Sequence, residues 1–279
     1  MKRRLVWNPI SRRMLGIVAS VAPNTAARLR RRYVYDDLSP YDLLIRIDHP
    51  AFIWMNWGLD GDDFSWLSEE DQVWKYQVNM ARNNVHGVDL EGKRFLDTGS
   101  GRGGNCYYVH RYHRVSRNVG LDLKRAQVQW CTERFRGTGI EFVAGDAQAL
   151  PFEDGSFDVV SNIESACHYP DKKQFFREVS RVLSPAGFFC HSCNYMDSDQ
   201  KERMMRAAGL VVVQKQDITD RVAAALRKNA NNLQDLLVGI AGSAETKDTA
   251  LRLCELLSIR VPESFSEEHR YHSWTLQKA

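Results

Sequence analysis

The sequence predicts an α/β fold: a doubly wound, mostly parallel sheet, with a helical segment before it and another inserted before its last strand. Three observations carry this. From residue 93 onward, short apolar runs alternate with amphipathic stretches. A glycine-rich turn follows the first run, in Asp97-Thr98-Gly99-Ser100-Gly101-Arg102-Gly103-Gly104. The 279 residues, 43% hydrophobic and 26% charged, suffice for a sizeable core. No apolar run approaches the roughly 18 residues of a membrane span.

Residues 1–88 read as a helical cap. Met14, Leu15, Ile17, Val18 and Val21 share one helix face. That pattern favours an amphipathic helix over an export signal, although basic residues precede it. Residues 52–74 are aromatic-rich, with Phe52, Trp54, Trp57, Phe64, Trp66 and Trp74. Ser68 before Glu69, Glu70 and Asp71 predicts a helix with Ser68 as its N-cap, running to about His86.

The core is expected over 89–219. Short apolar runs predict strands at 94–97, 118–121, 140–144, 157–162, 188–193 and 210–218. Between them lie helices at 103–114, 125–136, 171–183 and 202–208. Phe175, Phe176, Val179, Val182 and Leu183 mark the third of these by their spacing. Ser184-Pro185-Ala186-Gly187 reads as a turn before the fifth strand, and Gly209 ends the fourth helix. Residues 220–268 read as a two-helix lid, and 269–279 as the last core strand.

A net charge of +3 hides an asymmetry. Residues 1–40 carry nine Lys or Arg against two Asp, a local +7, which leaves −4 on the rest. An acidic body without a basic groove argues against a nucleic-acid partner. The basic segment suits a solvated face, peripheral attachment to an anionic membrane, or contact with an acidic carrier protein. Six scattered cysteines in a chain of this size point to reduced thiols and a cytoplasmic setting. Cys190-His191-Ser192-Cys193 has redox spacing but falls on an expected strand, away from a helix N-terminus. No second closely spaced ligand pair supports a metal site.

Gly99, Gly101 and Gly104 fit the G-x-G-x-x-G pattern of a nucleotide-binding turn. Asp122, 19 residues beyond Gly103 at the end of the next strand, suits a ribose diol. A nicotinamide cofactor and S-adenosylmethionine (SAM) both carry that ribose. Asp97, two residues before the first glycine, would repel a pyrophosphate but suits the ammonium of a methionine moiety. Asp146 follows the third strand, where its carboxylate and the backbone N–H of Ala147 suit adenine. Three acids after three successive strands favour SAM over the dinucleotide of an oxidoreductase.

The stretches "FLDTGSGRGG", "VGLDL", "GDAQALPFEDGSFDVV" and "FFREVSRVLSPAGF" resemble the successive motifs of class I SAM-dependent methyltransferases, over about residues 90–195. The resemblance implies a Rossmann-like, seven-stranded sheet in the order 3-2-1-4-5-7-6, with strand 7 antiparallel. It implies that Asp97, Gly99, Ser100, Gly101 and Gly103 hold the methionine part. Asp122 with Leu123 would hold the ribose, and Asp146 with Ala147 the adenine. Gln127 and Asn162 fall at positions that often touch the cofactor.

"FIWMNWGLD", "NIESACHYPDKKQF", "KNANNLQDLL" and "HRYHSWTLQK" resemble small-molecule O-methyltransferases. These include enzymes of phthiotriolone and phenolphthiotriolone dimycocerosates and natural-product tailoring enzymes. The implied reaction methylates a hydroxyl of an apolar polyketide, peptide or lipid. N- or C-methylation and reuse of the fold as a cyclase are the other readings. His168, in the loop after the fourth strand, is the implied general base. Some relatives place an acid at the end of the fifth strand, where this chain has Cys193. His191 is therefore a second catalytic candidate, and Glu164 a substitute acid or substrate contact. Trp57 is expected at the substrate, since an aromatic face stabilises a sulfonium or packs on an apolar acceptor.

Overall fold

A computed structural model describes residues 52–61, 63–194, 196–240, 265 and 270–279, with the backbone alone at 231–234 and 236–240. The basic segment, the predicted helix at 14–21 and most of the lid beyond residue 240 lie outside the described residues.

Seven strands make one mixed sheet: β1 (Arg94–Thr98), β2 (Arg117–Asp122), β3 (Glu141–Ala144), β4 (Phe157–Ile163), β5 (Leu183–Cys193), β6 (Leu210–Asp217) and β7 (His272–Lys278). Their order is β3-β2-β1-β4-β5-β7-β6. The first five strands are mutually parallel, and β7 runs antiparallel to both β5 and β6. The described helices are α1 (Lys75–Asn84), α2 (Gly104–Tyr112), α3 (Arg125–Arg134), α4 (Lys172–Val182), α5 (Ser198–Ala207) and α6 (Thr219–Ile240).

The central strands are near-continuous apolar runs because helices cover both faces of a parallel sheet. Phe95, Leu96, Val119, Leu121 and Val160 are all buried. Asp171 caps α4 by accepting the Gln174 N–H. The apolar stripe of α4, Phe175, Phe176, Val179 and Val182, packs into one core with Phe189, Met205, Trp274 and Leu276. A second cluster sits beyond the carboxyl end of β4. It joins Leu59, Met80, Ile163, Ile218, Val222, Leu226 and Tyr271, with Trp57 and Phe265 at its margin. It binds the cap segment to the base of α6 and the start of β7.

Two local expectations are corrected. Ser68 makes no side-chain cap, and a 3-10 turn (Glu69–Trp74) precedes α1. Its hydroxyl donates instead to the Asp71 carboxylate at 2.9 Å, which also takes the Tyr112 hydroxyl at 2.6 Å. β5 begins at Leu183 rather than 188, so the expected turn is a distortion within a continuous strand. Ala186 there has φ +57°, and the register with β4 shifts between Phe157 and Val159. No helix among the described residues is long and apolar enough to cross a membrane.

Candidate active site

The chain leaves β1 at Thr98, turns through Gly99–Gly103 and enters α2. Two contacts explain the glycines. Gly99 has φ +74°, and a Cβ there would lie 2.4 Å from Ser165 Cβ and Oγ. Gly101 has φ +53°, and its Cβ would lie 2.9 Å from Met55 Sδ. The turn is tied to β2, since the Gly99 and Ser100 N–H groups both donate to the Leu121 carbonyl, at 2.7 and 2.9 Å. Gly103 opens α2 against the rings of Phe135 and Phe142.

The three acids stand at the carboxyl ends of β1, β2 and β3. Asp97 is buried and accepts from Asn105 Nδ2 at 3.2 Å. Burial pushes its carboxyl up to about 7. Asp122 accepts the Gly101 and Lys124 N–H groups, each at 2.9 Å, and burial raises its pKa as well. Leu123 follows it, partly exposed. Asp146 accepts the Gln148 N–H at 2.9 Å, while the side chain of Ala147 packs into the core beside Leu121 and Leu150.

Above the turn lies the segment 52–57. The Trp54 ring packs on Gly104, Met55 sits over Gly101, and Gln127 Nε2 lies 3.7 Å from Met55 Sδ. Among the described residues, Trp54 Nε1, Ser100 Oγ, Gln127 Oε1 and Asn162 Oδ1 are buried here without a hydrogen-bond partner. A buried polar atom left so costs about 1–3 kcal/mol, and these four belong to residues on and around the glycine turn.

A methyltransferase domain family matches residues 96–191. A fatty-acid O-methyltransferase of Mycolicibacterium smegmatis is 34% identical over 200 residues, which cover 70% of this chain and 73% of that protein. The chain belongs to the SAM-dependent methyltransferases. A phthiotriol/phenolphthiotriol dimycocerosates methyltransferase of Mycobacterium tuberculosis is 37% identical over 153 residues, covering 53% of this chain and 56% of its own length. The fold alone is shared with the cyclase SpnF, at TM-score 0.64 and 21% identity over 85% of this chain and 93% of that one. SAM is the cofactor of this methyltransferase, and the four unpartnered polar atoms are consistent with a ligand of its polarity.

The loop after β4 packs against the glycine turn. The Asn162 amide donates to the Thr98 carbonyl at 2.9 Å and to Ser165 Oγ at 2.6 Å, and Ser165 meets Tyr169 Oη at 2.9 Å. These bonds hold Ser165 and Tyr169 against Gly99. Glu164 takes a left-handed φ of +56°, a strained value for a residue with a Cβ. The strain is fixed by three bonds to its carboxylate. The Trp57 N–H donates at 3.1 and 3.2 Å, and Tyr271 Oη donates at 2.7 Å. Burial pushes the Glu164 carboxyl up to about 8. His168 ends the following 3-10 turn, and burial followed by the Lys172 charge lowers its pKa to about 4.

Trp57 joins this group, with its ring 5.8 Å from that of Tyr271 and 6.1 Å from that of Phe265. Trp66 instead packs on Tyr112 and under Arg82, beside α2. His191 is fully buried and stacked between Phe189 and Trp274 at 5.4 and 5.7 Å. That places it in the packing of the sheet, where it pairs with Asn162 of β4.

Sequence reasoning did not single out Met55, Asn105, Ser165, Tyr169 or Tyr271. Asn105 carried a usable signal, since it stands in the first turn of α2 facing back toward Asp97. Tyr271 carried none, because it meets Glu164 across 107 residues.

Proposed function

We propose that this enzyme moves the methyl group of SAM to a hydroxyl of an apolar small molecule, a lipid or polyketide-like compound, with His168 as proton acceptor. What supports the reading is the place of His168 in the loop after β4, whose Ser165 and Tyr169 close on Gly99. Bound SAM supplies an electrophilic methyl group on a sulfonium. Asp97 takes the methionine ammonium, and Asp122 with Leu123 takes the ribose. Asp146 and the Ala147 N–H take the adenine. Gln127, Ser100 and Asn162 supply further polar contacts from their buried atoms.

The protein's own contribution is alignment and a dry pocket. Glu164 holds Trp57 and Tyr271 together, and their rings with Phe265 form an apolar wall for the acceptor. Burial keeps the His168 imidazole uncharged at neutral pH, the form that a proton acceptor needs. The name of the mycolicibacterial relative, a fatty-acid O-methyltransferase, supports oxygen on a lipidic acceptor.

The test incubates the enzyme with methyl-labelled SAM and three long-chain acceptors: an alcohol, a carboxylic acid and an amine. The alcohol is expected to yield the methyl ether. His168→Ala then lowers turnover on the alcohol by about 10²–10⁴-fold, the range of general-base catalysis. The ionised acid has no proton to lose and is spared. Transfer to the amine alone, or undiminished turnover of the alcohol by the variant, overturns the reading.

A further inference from the structure

Apart from the cofactor turn, one buried group of reactive side chains has no part in the proposed reaction. Cys193 is the last residue of β5, and Lys201 lies in the first half of α5. Both are buried, at 1% and 0% exposure. Lys201 Nζ lies 2.9 Å from Cys193 Sγ and 4.2 Å above the centre of the Trp274 ring. On its other side the sulfur meets His191 Nε2 at 3.0 Å. The redox-spaced partner Cys190 is one residue before His191 on the same strand, so it faces the opposite side of the sheet. Two nitrogens therefore converge on a single sulfur.

This environment has chemical consequences. An amine in contact with a sulfur sets side by side the two groups that an oxidant can join. Burial keeps out bulky thiols such as glutathione but admits dioxygen or peroxide. The Lys201 amine lies at 2.9 Å from the Cys193 sulfur and His191 Nε2 at 3.0 Å, and of the two the amine can form a neutral N–O bond by losing a proton. An oxygen atom inserted between Sγ and Nζ needs little movement at their present separation, whereas a direct S–N bond would draw the two much closer.

We propose that Cys193 and Lys201 form a reversible, oxygen-bridged cross-link on oxidation, Sγ–O–Nζ, and so constitute a redox modification site. The thiol and the amine together with one dioxygen give the bridge and one water. The S–H or N–H protons not kept on Nζ leave in that water. Sulfur and nitrogen each lose two electrons, and dioxygen takes up the four. Two peroxide molecules serve equally and leave three waters. The bridge ties the carboxyl end of β5 to α5, on the edge of the sheet that carries the reaction.

The experiment treats the purified full chain, free of added SAM, with hydrogen peroxide and measures intact mass. The expected product is heavier by about 14 Da, one oxygen gained and two hydrogens lost. Trypsin then fails to cut after Lys201, so the added mass is found on a peptide running from Val182 to Arg203. Dithiothreitol added after denaturation restores the original mass, which separates the bridge from a methyl group of nearly equal mass. Cys193→Ser and Lys201→Arg each abolish the shift, whereas Cys190→Ser retains it. The idea is overturned by added oxygens on Cys193 with normal cleavage after Lys201. It is equally overturned by a loss of about 2 Da, which means a disulfide or a direct S–N bond. The wild-type masses decide the matter even if a core variant fails to fold.

Discussion

Replacing Glu164 with Gln tests how the enzyme holds its cap segment. In the folded protein the acid form of Glu164 persists to about pH 8, whereas an unperturbed glutamate ionises near 4.5. Between those values the unfolded chain binds fewer protons than the folded one. The contribution is therefore complete below pH 4.5 and lost as pH rises through about 8. The whole shift corresponds to about 5 kcal/mol, and the partial exposure of the side chain screens this to about 2–3 kcal/mol. Glutamine keeps an oxygen for the Trp57 N–H and for Tyr271 Oη but cannot ionise. Urea unfolding of both proteins without cofactor, from about pH 5 to about pH 9, supplies the comparison. The wild type is expected to lose about 2–3 kcal/mol relative to the variant across that range. Asp97 titrates in both proteins and cancels. Parallel pH profiles would show that the carboxyl is ionised in the folded state and refute the argument.

Three further outcomes follow from the site. Asp97 has a pKa of about 7, so SAM affinity by titration calorimetry should fall about tenfold per pH unit below that value and level off above it, while Asp97→Asn binds weakly with no such slope. Gly99→Ala should cost about 2 kcal/mol or more in urea unfolding and weaken SAM binding, because φ +74° and Ser165 both oppose a Cβ; Gly137→Ala, with nothing within 4 Å, should cost only about 1 kcal/mol. With the imidazole of His168 uncharged down to about pH 4, kcat on an alcohol should show no limb from this group near pH 6–7.

The strand–turn–helix unit that brings the candidate cofactor residues together was legible because its signals are local. Asp97, the glycines and Asp122 lie within one strand–turn–helix–strand unit, where each residue type answers a nearby geometric need. The order of the sheet came through resemblance, since parallel strands of similar composition do not announce their neighbours. The acceptor half was legible only in part. Glu164 and His168 could be marked by their place after β4, but Trp57 and Tyr271 each reach Glu164 from 107 residues away. No periodicity encodes such a meeting. Ser68 misled because a hydroxyl beside an acid has two hydrogen-bonding choices, and Tyr112 from a distant helix helps to fix Asp71 as its partner. The turn residues before 188 misled because a strand absorbs a left-handed residue such as Ala186 as a bulge.

The antiparallel β7 also sets an order of assembly during synthesis. Among the described residues β6 has no neighbour in the sheet except β7, and Tyr271 precedes β7 directly. A ribosome therefore completes the cofactor turn well before it completes the sheet. The 107 residues between Glu164 and Tyr271 take on the order of 5–20 s to translate. Glu164 is without its tyrosine throughout that interval, and from residue 217 onward, about the second half of it, the nascent chain also carries β6 unpaired. The time when this protein is most exposed to misassociation is thus written into its strand order, and a chaperone that shields β6 would have the most to protect.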